Sequence, residues 1–253
     1  MSGDGRFLAS GGEDGLVRLW QVSDGHLRAT WRGHVGIIHG VALSGDGQLV
    51  ASAGEDGTVR LWQAGRPDQD AGRQDAAATS GVPQGPLATL RGHRGTVWAV
   101  AVSRDGGVVA SGGIDGTLRL WAAPSGQLLE TVQGPTSGVN AVALSRDGRF
   151  VASGGVDGTV QLWEAAGGRA LSSVQAHTGT VLGLALAVDG LLASGGEDGT
   201  VRLWEARSGT CLRTLRVDRR YERLDITGLS GVTEAQRTAL LALGAVDRGT
   251  APR

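Results

Sequence analysis

The chain has 253 residues, 44 of which are glycine, and a formal net charge of −1. This near-neutral charge argues against nucleic acid as the main partner, because binding to phosphates requires a clustered positive excess. The single cysteine, Cys211, excludes an intramolecular disulfide and a cysteine-based metal cluster, and we expect it to be a packed apolar residue. The sequence shows neither a membrane-spanning apolar run nor the pattern of a signal peptide, which predicts a cytoplasmic location.

A repeat that ends in tryptophan dominates the sequence. Its copies are ASGGEDGLVRLW, ASAGEDGTVRLW, ASGGIDGTLRLW, ASGGVDGTVQLW and ASGGEDGTVRLW, which end at Trp20, Trp62, Trp121, Trp163 and Trp204. The successive tryptophans lie 42, 59, 42 and 41 positions apart, and the long spacing reflects a 17-residue insertion. A period of about 40 to 45 residues with glycine-rich turns is typical of the blades of a β-propeller.

Each repeat is predicted to form four short strands. In the third repeat an apolar strand over 96–103 precedes a turn at 104–106, and the Asp115-Gly116 turn separates the next two strands. Asp-Gly favours tight hairpins because their central residues need a positive φ. The first repeat lacks a segment for its first strand. We therefore predict an all-β fold of five blades, with three strands in the first blade and sixteen in the others.

The repeats resemble those of the WD-repeat β-propeller family over residues 2–215, in its bacterial type with a tail that closes the propeller. The resemblance implies stacked four-stranded blades, each with a buried network of a His before the first strand, a Ser on the second, an Asp in the next turn and the Trp. Pro135 stands where the fourth repeat should have its His, and the first repeat has only Ser10, Asp14 and Trp20. The matching residues are His34, Ser52, Asp56, Trp62, His93, Ser111, Asp115, Trp121, Ser153, Asp157, Trp163, His177, Ser194, Asp198 and Trp204.

The chain is predicted to divide into a propeller at 1–230 and a C-terminal helix and tail at 231–253. Residues 64–86 contain no aromatic residue and three of the six prolines, so we expect a mobile surface loop there. A strand at about 221–229 is expected to complete the first blade and hide its open edge. The repeats are predicted at about 2–31, 32–90 with this insertion, 91–132, 133–174 and 175–215.

A short helix is predicted after the closing strand. Thr233 is a favourable N-cap residue, and Gln236, three positions later, completes a capping box. Gly244 is a favourable residue at which to end the helix. These residues predict one helix in a chain that is otherwise all-β.

The Ser, His and Asp of the network are also the residue types of a hydrolytic triad. The set recurs three times in this chain, whereas an enzyme needs one site, and an unpaired buried polar group costs roughly 1–3 kcal/mol. We therefore interpret the set as structural. The histidines lack metal-ligand spacing and the glycines lie in turns that no helix follows, so the sequence predicts no enzyme activity, no metal and no cofactor.

One position of the first strand differs in size and polarity between repeats, where it is occupied by His39, Trp98, Asn140 and Leu182. The resemblance implies that such positions lie at one end of the propeller axis. The residues before the turn Asp belong to the same surface, and they are Glu55, Ile114, Val156 and Glu197. Because Trp is enriched among interaction hot spots, Trp98 is a candidate anchor for a partner. The alternative is that Trp98 fills space between blades.

The sequence favours a non-catalytic scaffold that presents one propeller face to a peptide or protein partner. Rigid presentation of side chains keeps the ordering cost of binding low. The alternative is the detached C-terminal sensor propeller of a larger bacterial signalling ATPase or kinase, or an incomplete fragment of one. Neither nucleic acid nor a membrane is an expected partner, and self-association is expected if the five blades do not close into a ring.

Overall fold

The computed structural model describes residues 1–64, 85–134, 138–187, 190–216, 225–227, 229, 233–243 and 245–247. The chain divides into two compact units, Met1–Thr214 and Leu215–Arg253. The predicted domain boundary at residue 230 stays a prediction. Almost all of the loop predicted at 64–86 lies outside the described residues, as does Pro135.

The chain is almost all-β, with five antiparallel sheets that we call blades 1 to 5, and this confirms the predicted fold class. In each blade the strands pair in chain order, and the nineteen described strands match the predicted number. Blade 1 comprises β1 (Phe7–Gly11), β2 (Leu16–Gln21) and β3 (Leu27–Arg32). Blade 2 comprises β4 (Ile38–Leu43), β5 (Leu49–Gly54), β6 (Thr58–Gln63) and β7 (Ala88–Arg91).

The remaining blades repeat the arrangement of blade 2. Blade 3 comprises β8 (Val97–Val102), β9 (Val108–Gly113), β10 (Thr117–Ala122) and β11 (Leu128–Gln133). Blade 4 comprises β12 (Val139–Leu144), β13 (Phe150–Gly155), β14 (Thr159–Glu164) and β15 (Ala170–Gln175). Blade 5 comprises β16 (Val181–Leu186), β17 (Leu191–Gly196), β18 (Thr200–Glu205) and β19 (Thr210–Arg216). We call β4, β8, β12 and β16 the inner strands. The inner strands of successive blades contact one another.

The Asp-Gly turns form tight hairpins, as their sequence predicts. Gly57 and Gly116 have φ angles of 74° and 73°, which L residues with side chains rarely adopt. In the blade 2 turn, Asp56 Oδ1 accepts hydrogen bonds from the backbone N–H and the hydroxyl of Thr58, at 3.1 and 2.7 Å. The Asp therefore satisfies the polar groups of its own turn, and the Gly allows the chain to reverse.

Neighbouring blades pack face to face through apolar clusters. Between blades 1 and 2, Val17 and Leu19 share a buried cluster with Val50, and Trp31 stacks on Trp62 with ring centroids 5.9 Å apart. Similar clusters lie between blades 2 and 3, 3 and 4, and 4 and 5. Because blades 2, 3 and 4 bury both faces against their neighbours, the stability of the fold comes from stacking.

Every inner strand contains a β-bulge at the same place. In blade 2, Ile38 lies opposite Gly54 and Gly40 lies opposite Ala53, so that His39 is the extra residue between them. A bulge bends its strand and redirects the extra side chain. The equivalent residues of the other inner strands are Trp98, Asn140 and Leu182.

The predicted C-terminal helix is present as α1 (Glu234–Ala242). Thr233 Oγ1 accepts from the Gln236 N–H at 3.2 Å, and Gln236 Oε1 accepts from the Thr233 N–H at 2.8 Å, which completes the predicted capping box. This helix is too short and too polar to cross a membrane, and no other helix in the described ranges could do so.

The described part of the predicted closing strand lies within the second unit. Asp225 forms an isolated parallel bridge with Val246, and the Ile226 N–H donates to the Val246 carbonyl at 2.9 Å. Residues 221–224 lie outside the described residues, so the completion of blade 1 by this segment stays a prediction.

The expectation that Cys211 is packed is wrong. The residue lies on β19, and its side chain is exposed. Every residue of β19 is exposed. The outer strands β3 and β7 each contain one buried residue, Trp31 and Leu90. The residues at the same position of β3 and β11, Leu27 and Leu128, are 48% and 43% exposed, so this position is exposed in other blades as well.

Candidate functional site

A chain of hydrogen bonds crosses blade 2 from its turn to its tryptophan. His34 Nδ1 lies 3.0 Å from Asp56 Oδ1, and His34 Nε2 lies 2.7 Å from Ser52 Oγ. The Trp62 Nε1–H donates to the same Ser52 oxygen at 2.8 Å. Because a carboxylate only accepts, His34 donates its Nδ1–H to Asp56, and its Nε2 accepts the Ser52 hydroxyl proton.

The same network recurs in two further blades. The corresponding His–Ser, His–Asp and Trp–Ser distances are 2.7–3.1 Å, and the sets are His93, Ser111, Asp115 and Trp121 in blade 3 and His177, Ser194, Asp198 and Trp204 in blade 5. In blade 4, Trp163 donates to Ser153 at 2.9 Å, and among the described residues the Asp157 carboxylate accepts only from Thr159 of its own turn. In blade 1 the Trp20–Ser10 bond is present at 2.9 Å. The structure thus joins the predicted network residues in blades 2, 3 and 5, and it keeps the Trp–Ser bond in blades 1 and 4.

In blades 2 and 3 the environment of the network favours the neutral histidine and the ionised aspartate. Burial lowers the pKa of His34 below its ordinary value, although the neighbouring Asp56 acts in the opposite sense. Burial acts to raise the pKa of Asp56, but hydrogen bonds from Thr58, His34 and the Val35 N–H outweigh it and lower the pKa to about 2. His93 and Asp115 shift in the same directions for similar reasons.

The network has the order of contacts of a hydrolytic triad, but a substrate cannot reach it. Ser52 and Ser111 are 0% exposed and Ser194 is 1% exposed. Each hydroxyl oxygen is also occupied by the indole N–H of its blade. The geometry therefore fits a structural cross-link between the turn and the tryptophan. Within the described ranges, no three His, Cys, Asp or Glu side chains are grouped so that they could hold a metal ion.

The four bulge residues line one cavity of about 400 Å³, which we call the bulge cavity. A Cβ atom on Gly138 would lie 2.8 Å from Trp98 Cζ3, so the half-buried Trp98 ring rests on the backbone that leads into blade 4. The Asn140 Nδ2–H donates to the Val181 carbonyl at 2.9 Å and so links blades 4 and 5. Leu182 is 62% exposed, and the His39 side chain is also exposed.

The other four predicted surface residues lie beside the start of the inner strands. Each donates its backbone N–H to the loop that enters the inner strand of its blade: Glu55 to Ile37, Ile114 to Thr96, Val156 to Gly138 and Glu197 to Thr180. The Glu55 and Glu197 carboxylates also accept from backbone N–H groups of these loops, both at 3.2 Å. Ile114 is 50% exposed. This rim is therefore acidic on blades 2 and 5 and apolar on blades 3 and 4.

Sequence reasoning missed a second cavity of about 670 Å³ at the Ser-x-Asp-Gly turns that follow the inner strands. In the blade 2 turn the Ser44 hydroxyl donates to Asp46 at 2.6 Å. Backbone bonds join the turns of successive blades: the Gly45 N–H donates to the Arg104 carbonyl at 2.8 Å, and the Arg104 N–H donates to the Arg146 carbonyl at 3.3 Å. The recurrence of this tetrapeptide in the sequence could have indicated the contact.

Five segments of the chain match the family described as WD domain, G-beta repeat, and these are residues 1–21, 25–63, 84–122, 126–164 and 168–205. The chain belongs to the WD40 family. Each matched segment ends one residue after a repeat tryptophan, in agreement with the repeat period and the five blades.

Similarity to individual WD40 relatives extends over about one repeat. A stretch of 45 residues is 47% identical to eukaryotic translation initiation factor 3 subunit I of Phaeosphaeria nodorum and covers 18% of this chain and 14% of that protein. The Neurospora crassa protein of the same name is 42% identical over 45 residues, or 18% of this chain and 13% of its own length. Small ribosomal subunit protein RACK1y of Oryza sativa subsp. japonica is 58% identical over 40 residues, or 16% and 12%.

These matches cover only 12–14% of the relatives' lengths. The similarity therefore extends to the repeat and not to the activity of any of these proteins. All three relatives are eukaryotic, so the bacterial type that the sequence suggested stays a prediction.

Proposed function

We propose that this WD40 chain is a non-catalytic scaffold that binds a peptide or protein segment at the bulge cavity. The observation that carries the proposal is the position of the bulges. Four consecutive inner strands each place an extra residue at one cavity, and these residues are His39, Trp98, Asn140 and Leu182. They differ in size and polarity, whereas the residue before each bulge is Ile or Val in every inner strand.

The surroundings of the cavity support rigid recognition. Asn140 is fixed by its bond to the Val181 carbonyl, and the Trp98 ring rests on the backbone at Gly138. Such side chains lose little conformational freedom when a partner binds, which lowers the cost of association. The half-buried Trp98 and the exposed Leu182 still offer apolar surface to a partner side chain.

The charges of the rim support a partner of defined chemistry. Glu55 and Glu197 give the rim acidic character on blades 2 and 5, while Ile114 and Val156 make it apolar on blades 3 and 4. Complementary charges increase the rate and specificity of association. The proposed partner segment therefore carries a large apolar side chain for the cavity and a basic residue close to it.

Two finer statements belong to this proposal. We propose a cytoplasmic location for the scaffold. The alternative function is the sensor propeller of a larger bacterial signalling ATPase or kinase, and it would use the same surface. The two hypotheses differ in what the propeller regulates and not in which residues contact the partner.

The test selects ligands from a random peptide library on the wild-type chain and compares their affinity for variants. We expect selected peptides to combine an aromatic or long aliphatic residue with Lys or Arg. The Trp98→Ala variant should bind them at least about tenfold more weakly, because a hot-spot aromatic contributes about 2 kcal/mol or more. Its thermal midpoint should stay close to that of the wild type, because the ring is only half-buried.

The matched control is Leu129→Ala, on the outer strand of the same blade, where the side chain is 46% exposed. This variant should bind the selected peptides as the wild type does. Equal binding to wild type and Trp98→Ala would place the partner site elsewhere. A large loss of thermal stability in Trp98→Ala would instead support the alternative that this residue fills space between blades.

A further inference from the structure

The outward face of blade 5 is exposed where the other blades are packed. Val201 is 43% exposed. The residues at the same position of blades 1 to 4 are 0–2% exposed, and they are Val17, Val59, Leu118 and Val160. Leu203 is also partly exposed, whereas its equivalent in blade 2, Leu61, is 0% exposed. The apolar composition of this face is retained although no neighbouring blade buries it.

The surroundings of the glycines on the second strands also show that blade 5 lacks a covering blade. A Cβ atom on Gly11 or Gly112 would lie 2.4 Å from a methyl group of the first residue of the next inner strand, Ile38 or Val139. At Gly195 of blade 5, the only atom within 4 Å of such a Cβ belongs to Val201 of the same blade. The space that the next blade occupies elsewhere is therefore open beside blade 5.

Blade 1 exposes the opposite kind of face. Leu8 is 45% exposed, whereas the equivalent residues of blades 2 to 5 are 0–3% exposed: Val50, Val109, Val151 and Leu192. Val22 is 48% exposed, whereas its equivalents Ala64 and Ala206 are 1% and 2% exposed. In the interior blades, this is the face that receives the preceding blade.

We propose that these two faces bind each other between two copies of this chain, so that blade 5 of one copy stacks on blade 1 of the next. The four interfaces within the chain show that such faces are complementary. In one buried cluster Val17 and Leu19 meet Val50, and in another Val160 and Leu162 meet Leu192. Val201 and Leu203 of blade 5 are equivalent to Val17 and Leu19. Leu8 of blade 1 is equivalent to Val50.

The contact is head-to-tail, because it joins two different surfaces of the same chain. Blade 1 has three described strands, so this contact lacks the inner-strand residue that covers the second-strand glycine elsewhere. It is therefore smaller than the interfaces within the chain. We expect an association that is reversible and depends on concentration, and that uses none of the residues that line the bulge cavity.

Sedimentation velocity of the whole chain, across about two decades of concentration around a micromolar Kd, tests the proposal. The mean mass of the wild type should rise with concentration. Val201→Arg should remove the blade 5 face, Leu8→Arg should remove the blade 1 face, and each variant alone should stay monomeric. An equimolar mixture should form a dimer and stop there, because each variant keeps the face that the other lacks.

The control Leu129→Arg, on an exposed outer position of blade 3, should assemble as the wild type does. If either arginine variant fails to fold, Val201→Ser and Leu8→Ser serve instead, and each should weaken association at least about fivefold. A wild type that stays monomeric throughout would overturn the proposal. Mixed variants that stay monomeric, or a single variant that still dimerises, would also overturn it.

Discussion

Blades 3 and 4 are adjacent, have the same four-stranded order, and differ in one connection. In blade 3, His93 joins Ser111 on the second strand to Asp115 in the turn. In blade 4 the corresponding residues remain separate: Ser153 bonds to Trp163, and Asp157 bonds within its turn. Blade 4 nevertheless keeps the strand register of blade 3.

The comparison separates two contributions of the repeat. Strand pairing and stacking against neighbours are sufficient to form a blade, because blade 4 forms without the histidine link. The link adds a polar connection between the turn and the buried tryptophan. The blades with the full network should therefore be more sensitive than blade 4 to removal of a polar group and to acid.

The largest expected effect comes from removing the serine hydroxyl that the network shares. Ser111→Ala removes the hydrogen-bond partner of both His93 Nε2 and the Trp121 indole N–H, whereas Ser153→Ala removes only that of the Trp163 indole. With roughly 1–3 kcal/mol for each unpaired group, we expect losses in unfolding free energy of about 3 kcal/mol and about 1.5 kcal/mol. Urea denaturation of both variants measures the difference, and equal losses would show that the histidine link contributes nothing.

A second, smaller effect is a loss of stability in acid. The pKa of His93 is lowered in the folded state, so that below about 6.5 the unfolded chain takes up protons that the folded chain does not. Asp115 has a folded pKa of about 2, below its ordinary value of 3.8, so its contribution is present above 3.8 and is lost as the pH falls toward 2. Both groups therefore make the unfolding free energy decrease as the pH falls.

The measurement is urea denaturation between about pH 7.5 and pH 5, where the histidines dominate. The variant His93→Gln should show a flatter dependence on pH than the wild type, because it cannot take up the proton in either state. The control Leu129→Ala changes an exposed residue outside the network and should keep the wild-type slope. An unchanged slope in His93→Gln would show that other groups cause the acid sensitivity.

The smallest expected effect is a gain in stability from an added ion pair in blade 4. Gln161 stands where blade 2 has Arg60, and its buried Oε1 atom has no hydrogen-bond partner among the described residues. Arg60 lies 3.5 Å from the carboxylate of Asp56 in its own blade. Gln161→Arg should give Asp157 an equivalent partner and raise the unfolding free energy by about 0.5 kcal/mol, a typical value for a partly exposed ion pair. A calorimetric midpoint at or below that of the wild type would contradict this expectation.

Local chemistry was the predictable part of this molecule. The Asp-Gly turns need positive φ, the capping box at Thr233 and Gln236 closes on its own backbone, and the period of the tryptophans fixes the number of blades. The network residues lie together because they occur at fixed distances from hairpins whose geometry is itself local.

Features that depend on neighbouring strands or blades were less predictable. The bulge at Trp98 arises from the register between β8 and β9, which the residues of β8 alone do not determine. The exposure of Val201 depends on whether another blade covers blade 5, because the residues at the same position of the other blades are buried. Periodic sequence therefore predicted which faces are apolar but not which of them are covered.

The restriction of extensive contacts to adjacent blades has an evolutionary consequence. A gene that duplicates or deletes one whole repeat, about 42 codons here, gains or loses a blade whose surfaces already fit those of its neighbours. Such a change requires no new packing solution. Because each four-stranded blade contributes one bulge residue, the lining of the bulge cavity can diversify codon by codon while the copied framework stays constant.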